Sequence, residues 1–317
     1  MAPTLDHLRG ATAAEAGEFF AGADAVEVVE AVRATSDDDL LALIGRADVR
    51  PVAVEAIVSR LHEYAVPDRL AELEGVVRFD LERRGELLER HGLAFERGML
   101  KHLPSIPEAE PVDVVLRTSI VRFLRIVSGE RNAGLEFLAG KLDIDGDAAL
   151  ALAVGGLFRV PGADGVAVDP QDLDPVDVAT ALKGASTDHL RKVMASGFRP
   201  IVLDEVFRRL PAFVNERKAR HLDLTVAFRL EGHPSGAVDR YVVRLADGTA
   251  TVVSDPDEAQ AGAHRDATVT CEAHDFLRLA TGHLSAVTGV LRGQLKVRGD
   301  KAKALQLSSA IDFPKAR

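Results

Sequence analysis

Residues 276–300 read FLRLATGHLSAVTGVLRGQLKVRGD, and residues 123–147 read FLRIVSGERNAGLEFLAGKLDIDGD. The two stretches share a Phe-Leu-Arg start, a glycine six residues later, a Leu-x-Gly-x-Leu segment and a closing Gly-Asp pair. Self-similarity at a long, fixed period is the sign of a repeated structural unit. The two stretches therefore predict that the chain contains two copies of one fold.

Two earlier blocks repeat in the same order. Residues 24–32 match residues 174–182, and Pro51 and Pro200 each open an apolar stripe at helical spacing. The chain has 317 residues, enough for two domains that each bury a core. We expect five segments: an N-terminal tail over residues 1–16, helical segments over 17–74 and 164–202, and sheet-containing domains over 75–163 and 203–317.

Copy two contains the clearer strands. Its strand candidates alternate apolar and polar residues, and Asp247-Gly248 predicts a tight hairpin turn. In copy one, residues 83–107 are highly charged and contain no Asp-Gly pair, so we expect a degenerate or rebuilt hairpin there. The candidate strands of copy two are residues 224–230, 241–245, 249–253, 267–271 and 295–297.

Copy two resembles the sterol carrier protein type-two family from about Leu203 to Pro314. The resemblance is carried by LDEVFRRL at residues 203–210, the Asp247-Gly248 turn, DFLRLATG at residues 275–282 and the Leu-x-Gly-x-Leu-x-Val-x-Gly-Asp segment at residues 291–300. It implies an α+β fold, in which a roughly five-stranded, mainly antiparallel sheet is covered by helices around an apolar tunnel. Copy one is similar over its last block, so we expect two tandem sterol-carrier-like domains, each preceded by a short helical segment.

The resemblance and the helical spacing of apolar residues together predict a binding site for an apolar ligand. We expect copy two, and not copy one, to carry the ligand, and copy one offers the candidate residues for a second site. In copy two the expected lining residues are Val226, Phe228, Tyr241, Val243, Val269, Phe276, Leu279, Val287, Val290, Leu291, Leu295 and Val297. In copy one they are Phe123, Ile126, Phe137, Leu138, Leu142 and Ile144.

Three hypotheses for function remain open at this point. The first is a non-enzymatic carrier of a fatty acid, an acyl-CoA or a sterol-like molecule. The second is an interaction module with a closed core that serves an enzyme of lipid or thiol metabolism, and the third is an enzyme. An apolar cavity of about 300 Å³ or more favours the carrier, and a filled core favours the module.

Composition excludes several partners. A net charge of -10 and an isoelectric point near 5.5 disfavour binding to nucleic acid. The longest apolar run, residues 148–158, is too short to span a bilayer, so we expect no stable membrane insertion. A secretory signal needs an apolar segment near the start, where this chain has Asp6, His7 and Arg9. The chain has a single cysteine, Cys271, which fits the reducing cytoplasm, so we expect a cytoplasmic protein.

No motif for a metal, a cofactor or catalysis stands out. The DIDGD segment at residues 143–147 resembles the start of a calcium loop, but Ala148 and Val154 occupy the positions that require glycine and glutamate. Ser186 lies near His189, but its position suits a helix cap better than a nucleophile. We therefore predict no metal, no cofactor and no catalytic residue.

Overall fold

The structure is a computed structural model that describes residues 5–159, 173–255 and 265–317. The chain divides into two compact units, Met1–Asp172 and Leu173–Arg317. Each unit contains one five-stranded sheet covered by helices. The predicted α+β class is therefore confirmed, and we call the two parts unit 1 and unit 2.

Unit 1 begins with a layer of short helices, several of which start at a polar cap. Thr12 and Asp24 each form a capping box with the glutamate three residues later, which satisfies the free N–H groups of the first turn. The helices are a 3₁₀ helix Leu5–Arg9, α1 Ala13–Gly22, α2 Ala25–Ala34, α3 Asp37–Ile44, α4 Arg50–Ser59, a 3₁₀ helix Leu61–Tyr64 and α5 Pro67–Leu70.

The described part of the expected N-terminal tail is structured. Leu5 and Leu8 lie in the first 3₁₀ helix and are 4% and 2% exposed. They are held there because they bury apolar surface against the following helices, and because the Leu5 amide donates to the Thr35 hydroxyl at 3.0 Å. The tail prediction is wrong for these residues.

The sheet of unit 1 has the strand order β3-β2-β1-β4-β5. Only β1 and β4 run parallel, and the other neighbours are antiparallel. The elements are β1 Gly75–Arg83, β2 Glu86–Glu96, β3 Met99–Pro104, β4 Val114–Ser119, α6 Ile120–Val127, α7 Ala133–Leu138, β5 Leu142–Gly146 and α8 Ala148–Gly155.

The central hairpin of unit 1 is fully paired apart from one register shift at Leu81/Glu82, so of the expected degenerate or rebuilt hairpin the degenerate alternative is wrong. Strands β1, β2 and β3 are joined by two-residue turns, Arg84-Gly85 and Arg97-Gly98. Both residues of each turn have positive φ, at 54° and 84° in the first and 49° and 75° in the second. A tight hairpin turn depends on these dihedral angles, and glycine at the second position allows them even when arginine replaces aspartate at the first.

Unit 2 repeats this arrangement with the strand order β10-β9-β6-β7-β8. Its elements are α9 Pro175–Lys183, α10 Thr187–Met194, α11 Phe198–Arg209, a 3₁₀ helix Leu210–Phe213, α12 Glu216–Ala219, β6 Leu224–Glu231, β7 Asp239–Ala246, β8 Thr249–Ser254, β9 Ala267–Glu272, α13 Ala273–Ala280, α14 Ala286–Leu291, β10 Lys296–Gly299 and α15 Lys301–Ala310.

The two units share their connectivity as well as their elements. The parallel pair β6/β9 corresponds to β1/β4, and each unit closes with an isolated bridge, Ala65 to Phe158 in one and Val214 to Ile311 in the other. The register pairs Phe79 with His91 and Phe228 with Tyr241, so His91 and Tyr241 are equivalent. The predicted tandem duplication is confirmed.

Within each unit the core lies between the sheet and its covering helices. In unit 2, Val226 and Val243 on the sheet are fully buried, as is Leu203 on α11. The space between sheet and helical cover is therefore where a cavity can form in unit 2.

In the part of the chain that the structure describes, no helix is long and apolar enough to cross a membrane.

Candidate ligand-binding site

A cluster of four aromatic rings fills one end of the interior of unit 2. Phe207 on α11 stacks on Tyr241 of β7 with ring centroids 3.8 Å apart, and on Phe276 of α13 at 4.7 Å. Phe228 on β6 meets the edge of Phe276 at 5.5 Å. Offset and edge-to-face contacts of this kind add to the free energy of area burial. The cluster forms a rigid wall beside the remaining interior.

The one polar group of this cluster is satisfied. The Tyr241 hydroxyl donates a hydrogen bond to Asp204 Oδ1 at 2.9 Å. Burial of the ring, together with this bond to a carboxylate, raises the pKa of Tyr241 above its usual value. Tyr241 therefore remains a protonated donor at neutral pH and provides no general base.

An apolar cavity of about 50 Å³ lies next to the aromatic cluster. Ser308 contributes its single polar side chain, and Leu305, which is 39% exposed, brings it to the surface at α15. The volume is that of one or two water molecules at about 30 Å³ each, far below the size of an acyl chain. The lining residues are Leu210, Phe228, Val269, Phe276, Leu279, Ala280, Ala286, Val290, Leu295, Val297, Ala304, Leu305, Leu307, Ser308, Ile311 and Phe313.

Most of the residues predicted for this site lie in the interior of unit 2. Val226, Tyr241 and Val243 are buried in the sheet without lining the cavity. Those that line it are Phe228, Val269, Phe276, Leu279, Val290, Leu295 and Val297.

Val287 and Leu291 do not face the interior. They are 55% and 82% exposed, so their assignment to the lining is wrong. Ala286 and Val290 lie four residues apart on α14, and both line the cavity. Val287 and Leu291 each follow one of them directly, so their side chains are rotated by about 100° around the helix axis and lie on the outer face. The sequence pattern of this short helix did not fix which of the two apolar pairs faces inward.

The last helix supplies lining residues that the sequence analysis missed. Leu307 and Ile311 are buried, and Leu305 and Phe313 complete the same wall. Ala304 and Leu307 on α15 are three residues apart, a spacing that places side chains on one helical face. That spacing was the available signal.

Unit 1 carries a larger side chain at one place equivalent to the cavity of unit 2. Phe137 stands where Val290 lines the cavity of unit 2, and it is buried. Phe79 packs edge to face on Phe123 at 5.7 Å. Of the six residues predicted for a second site, Phe123, Phe137, Leu138 and Leu142 are buried, and Ile126 and Ile144 are half-buried.

A histidine pair takes the place of Tyr241 in unit 1. His91 Nδ1 lies 3.2 Å from His102 Nε2, and His91 is 5% exposed. Burial, with a smaller contribution from His102, lowers the pKa of His91 to about 4. The pair is therefore uncharged at neutral pH.

The other side chains considered as candidates for chemistry are buried, cap a helix or form an ion pair. The Cys271 thiol is buried, and burial with the nearby Asp275 charge raises its pKa to about 12, so it stays protonated. Ser186 caps α10 by accepting from the His189 amide at 3.1 Å, as expected. Asp143 pairs with Arg117 at 3.4 Å. Within residues 5–159, 173–255 and 265–317, no three His, Cys, Asp or Glu side chains form a metal-binding group.

A five-stranded sheet with a helical cover is an α+β module that occurs twice in the chain, and in unit 2 an apolar cavity lies between the two layers. The SCP-2 sterol transfer family matches residues 54–159 and 203–312, one match in each unit. These matches cover more than half of the sequence, and the chain belongs to this family.

Relatives with assigned names are similar over part of the chain. Sterol carrier protein 2 of Homo sapiens is 26% identical over 116 residues, which are 36% of this chain and 20% of that protein. Hydroxysteroid dehydrogenase-like protein 2 of Xenopus tropicalis is 27% identical over 109 residues, which are 34% of this chain and 24% of that protein. The matches thus span a quarter or less of these relatives.

Two solved structures illustrate the range of similar chains. The palmitated SCP2L2 of Aedes aegypti is 20% identical, with a TM-score of 0.29, and the match covers 37% of this chain and 96% of that one. The inverting sec-alkylsulfatase Pisa1 of Pseudomonas sp. is 18% identical, with a TM-score of 0.30, and the match covers 44% of this chain and 25% of that one.

Proposed function

We propose that unit 2 binds a single apolar ligand, a fatty acyl chain or a sterol-like molecule, and carries it without changing it chemically. The observation that carries this proposal is the cavity between α13, α14, α15 and the sheet, lined by apolar side chains and Ser308. An apolar wall of this kind offers almost no hydrogen-bond partners, so it does not suit a charged or strongly polar substrate.

Binding requires the cavity to expand. The volume of the cavity must increase from about 50 Å³ to the roughly 300 Å³ of an ordinary ligand pocket. Helix α14 is the element suited to move, because it has six residues and Gly289 is its one buried position. Val287 and Leu291 on its outer face provide exposed apolar surface on the same helix.

The energetics permit this expansion. Burying a twelve-carbon chain contributes on the order of 10 kcal/mol, at roughly 0.8 kcal/mol per methylene. Association and ordering cost about 4–15 kcal/mol. A micromolar affinity is consistent with this balance.

The absence of suitable polar groups at the cavity supports carriage over catalysis. Ser308 is the single hydroxyl among the lining residues, and Tyr241 and Cys271 keep their protons at neutral pH. A carrier needs to bind and release its ligand, and a lining without acid–base pairs suits that task. We also propose that the protein acts in the cytoplasm, on the basis of its acidic composition and its single, buried cysteine.

The small volume of the cavity favours a second candidate, a closed-core module that presents a surface to a partner enzyme. Native mass spectrometry of the purified full chain separates the two. A co-purified lipid at one molecule per chain supports the carrier. A ligand-free mass together with no displacement of a fluorescent fatty acid supports the module.

A further inference from the structure

Unit 1 contains a larger, open cavity of about 290 Å³ outside its apolar interior. It lies where the parallel strands β1 and β4 end side by side, with Glu82 paired to Ser119 in register. Helix α6 begins at the next residue, and α3 forms a further wall. The crevice at the carboxyl ends of parallel strands is a frequent position for ligands in α/β sheets.

Five arginines line this cavity, although the chain has a net charge of -10. Arg125 is already engaged within the fold, because it donates to Asp37 at 2.8 Å and to the carbonyls of Val32 and Thr35. It is therefore not counted among the groups that could hold a ligand. The other four are Arg83, Arg84, Arg122 and Arg131.

Two of these four share one carboxylate. Arg122 Nε and Arg131 Nη1 each lie 2.7 Å from an oxygen of Glu136, which is buried. The Arg122 contact lacks the alignment of a hydrogen bond. Two guanidinium groups with one carboxylate between them leave one positive charge uncompensated at the cavity wall.

The remaining two arginines have no direct partner, although the Glu82 carboxylate lines the same cavity. Arg83 and Arg84 make no ion pair or hydrogen bond with any residue that the structure describes. Arg84 occupies the first position of the tight β1–β2 turn, at φ 54°, and this turn places it at the rim of the cavity. Leu41 and Val121, both half-buried, provide apolar side chains to the same wall.

Unit 2 carries opposite chemistry at the equivalent positions. Arg83 corresponds to Gly232, Ser119 to Glu272, and Arg122 to Asp275. The fold therefore does not need these arginines, since unit 2 forms the same sheet without them. The basic cavity is a property of unit 1 alone.

We propose that this cavity binds a small amphipathic anion, with a carboxylate or phosphate group held by Arg83, Arg84 and Arg122 and a short apolar group against Leu41 and Val121. Guanidinium groups bind carboxylate and phosphate oxygens in two-point contacts that ammonium groups do not match. The apolar wall and the volume exceed what a bare inorganic ion would fill. This inference rests on unit 1 and is independent of the function proposed for unit 2.

The test is calorimetric titration of the full chain at low ionic strength with hexyl phosphate, hexanoate, inorganic phosphate and hexanol. We expect the first two to bind more tightly than inorganic phosphate, and any binding of hexanol, at unit 2, to be unchanged by the arginine variants. The Arg84→Asn variant should bind at least about tenfold more weakly, the size of effect that a lost charge-assisted contact produces.

Arg97→Asn is the matched control, because Arg97 holds the same position of an Arg-Gly turn, at φ 49°, away from the cavity. Asparagine tolerates this backbone conformation, so both variants should fold, which circular dichroism checks. Arg83→Met supplies a second variant that keeps most of the side-chain length. Equal weakening by Arg84→Asn and Arg97→Asn, or no binding of either amphipathic anion at millimolar concentration, would overturn the proposal.

Discussion

Arg199 Nε donates to Asp239 Oδ2 over 2.7 Å, and the Arg199 side chain is completely buried. The same guanidinium also donates to the carbonyls of Met194, Leu230 and Glu231, so it joins α10 and α11 to the end of β6. In unit 1, Arg50 and Glu89 form the equivalent pair at 2.6 Å.

Replacing Arg199 by Met should destabilise unit 2 by about 3–5 kcal/mol, because it leaves Asp239 and three carbonyls without their donor. Urea denaturation of the full chain measures the change. The double variant Arg199→Met/Asp239→Leu should recover part of the loss, because it removes the uncompensated carboxylate. A single-variant effect below about 1 kcal/mol would contradict the role assigned to this pair.

Val290→Asp should abolish binding of a fluorescent fatty acid, whereas Phe137→Asp should leave it intact. Val290 lines the cavity of unit 2, and an unpaired carboxylate in an apolar site costs several kcal/mol. Phe137 belongs to unit 1, where the same change affects stability. Displacement assays, with circular dichroism to confirm folding, make the comparison. Equal loss from both variants would indicate two working sites.

Val290→Phe tests the cavity without adding a charge. Phenylalanine is the residue that unit 1 carries at the equivalent position, so the substitution is compatible with this fold. It should fill the 50 Å³ cavity and weaken fatty-acid binding by about tenfold or more, with little change in thermal stability. Unchanged affinity in a folded Val290→Phe variant would place the ligand elsewhere.

Unit 1 should lose stability between about pH 6.5 and pH 4. The buried state holds the pKa of His91 at about 4, whereas the unfolded chain has the ordinary value of 6.5. In this window the unfolded state binds a proton that the folded state does not, so stability falls as pH falls and levels off below about pH 4.

The loss attributable to His91 over this window should be about 3–4 kcal/mol, at about 1.4 kcal/mol per unit of pKa difference. Urea denaturation at pH 7, 5.5 and 4.5, comparing the native chain with His91→Gln, checks this expectation. The two proteins should differ in the slope of stability against pH, and parallel slopes would show that His91 makes no such contribution.

Leu291→Ser should change the free energy of unfolding by less than about 0.5 kcal/mol, because the Leu291 side chain is 82% exposed. Leu279→Ser, at a buried lining position of α13, should cost several times more. Thermal or urea unfolding of the two variants checks the orientation of α14 relative to α13. Similar losses from both would mean that Leu291 is covered in solution.

The sequence by itself determined the duplication, the α+β class and the interior position of most of the sheet residues. The Phe-Leu-Arg stretches have identical internal spacing, and strand alternation at residues 224–230 reports which side chains share a face. These features depend on order along the chain, so they can be read without coordinates. The Arg-Gly hairpins of unit 1 were within reach too, since glycine marks the turn.

The tertiary structure alone decided the orientation of α14, the volume of the cavity and the clustering of the arginines. Val290 and Leu291 are adjacent in sequence, and only the packing of α14 on the rest of unit 2 turns one inward and the other outward. Arg84 and Arg122 meet at one cavity because β1 and β4 pair in parallel. Such contacts join residues distant in sequence, and no local pattern encodes the space left between their side chains.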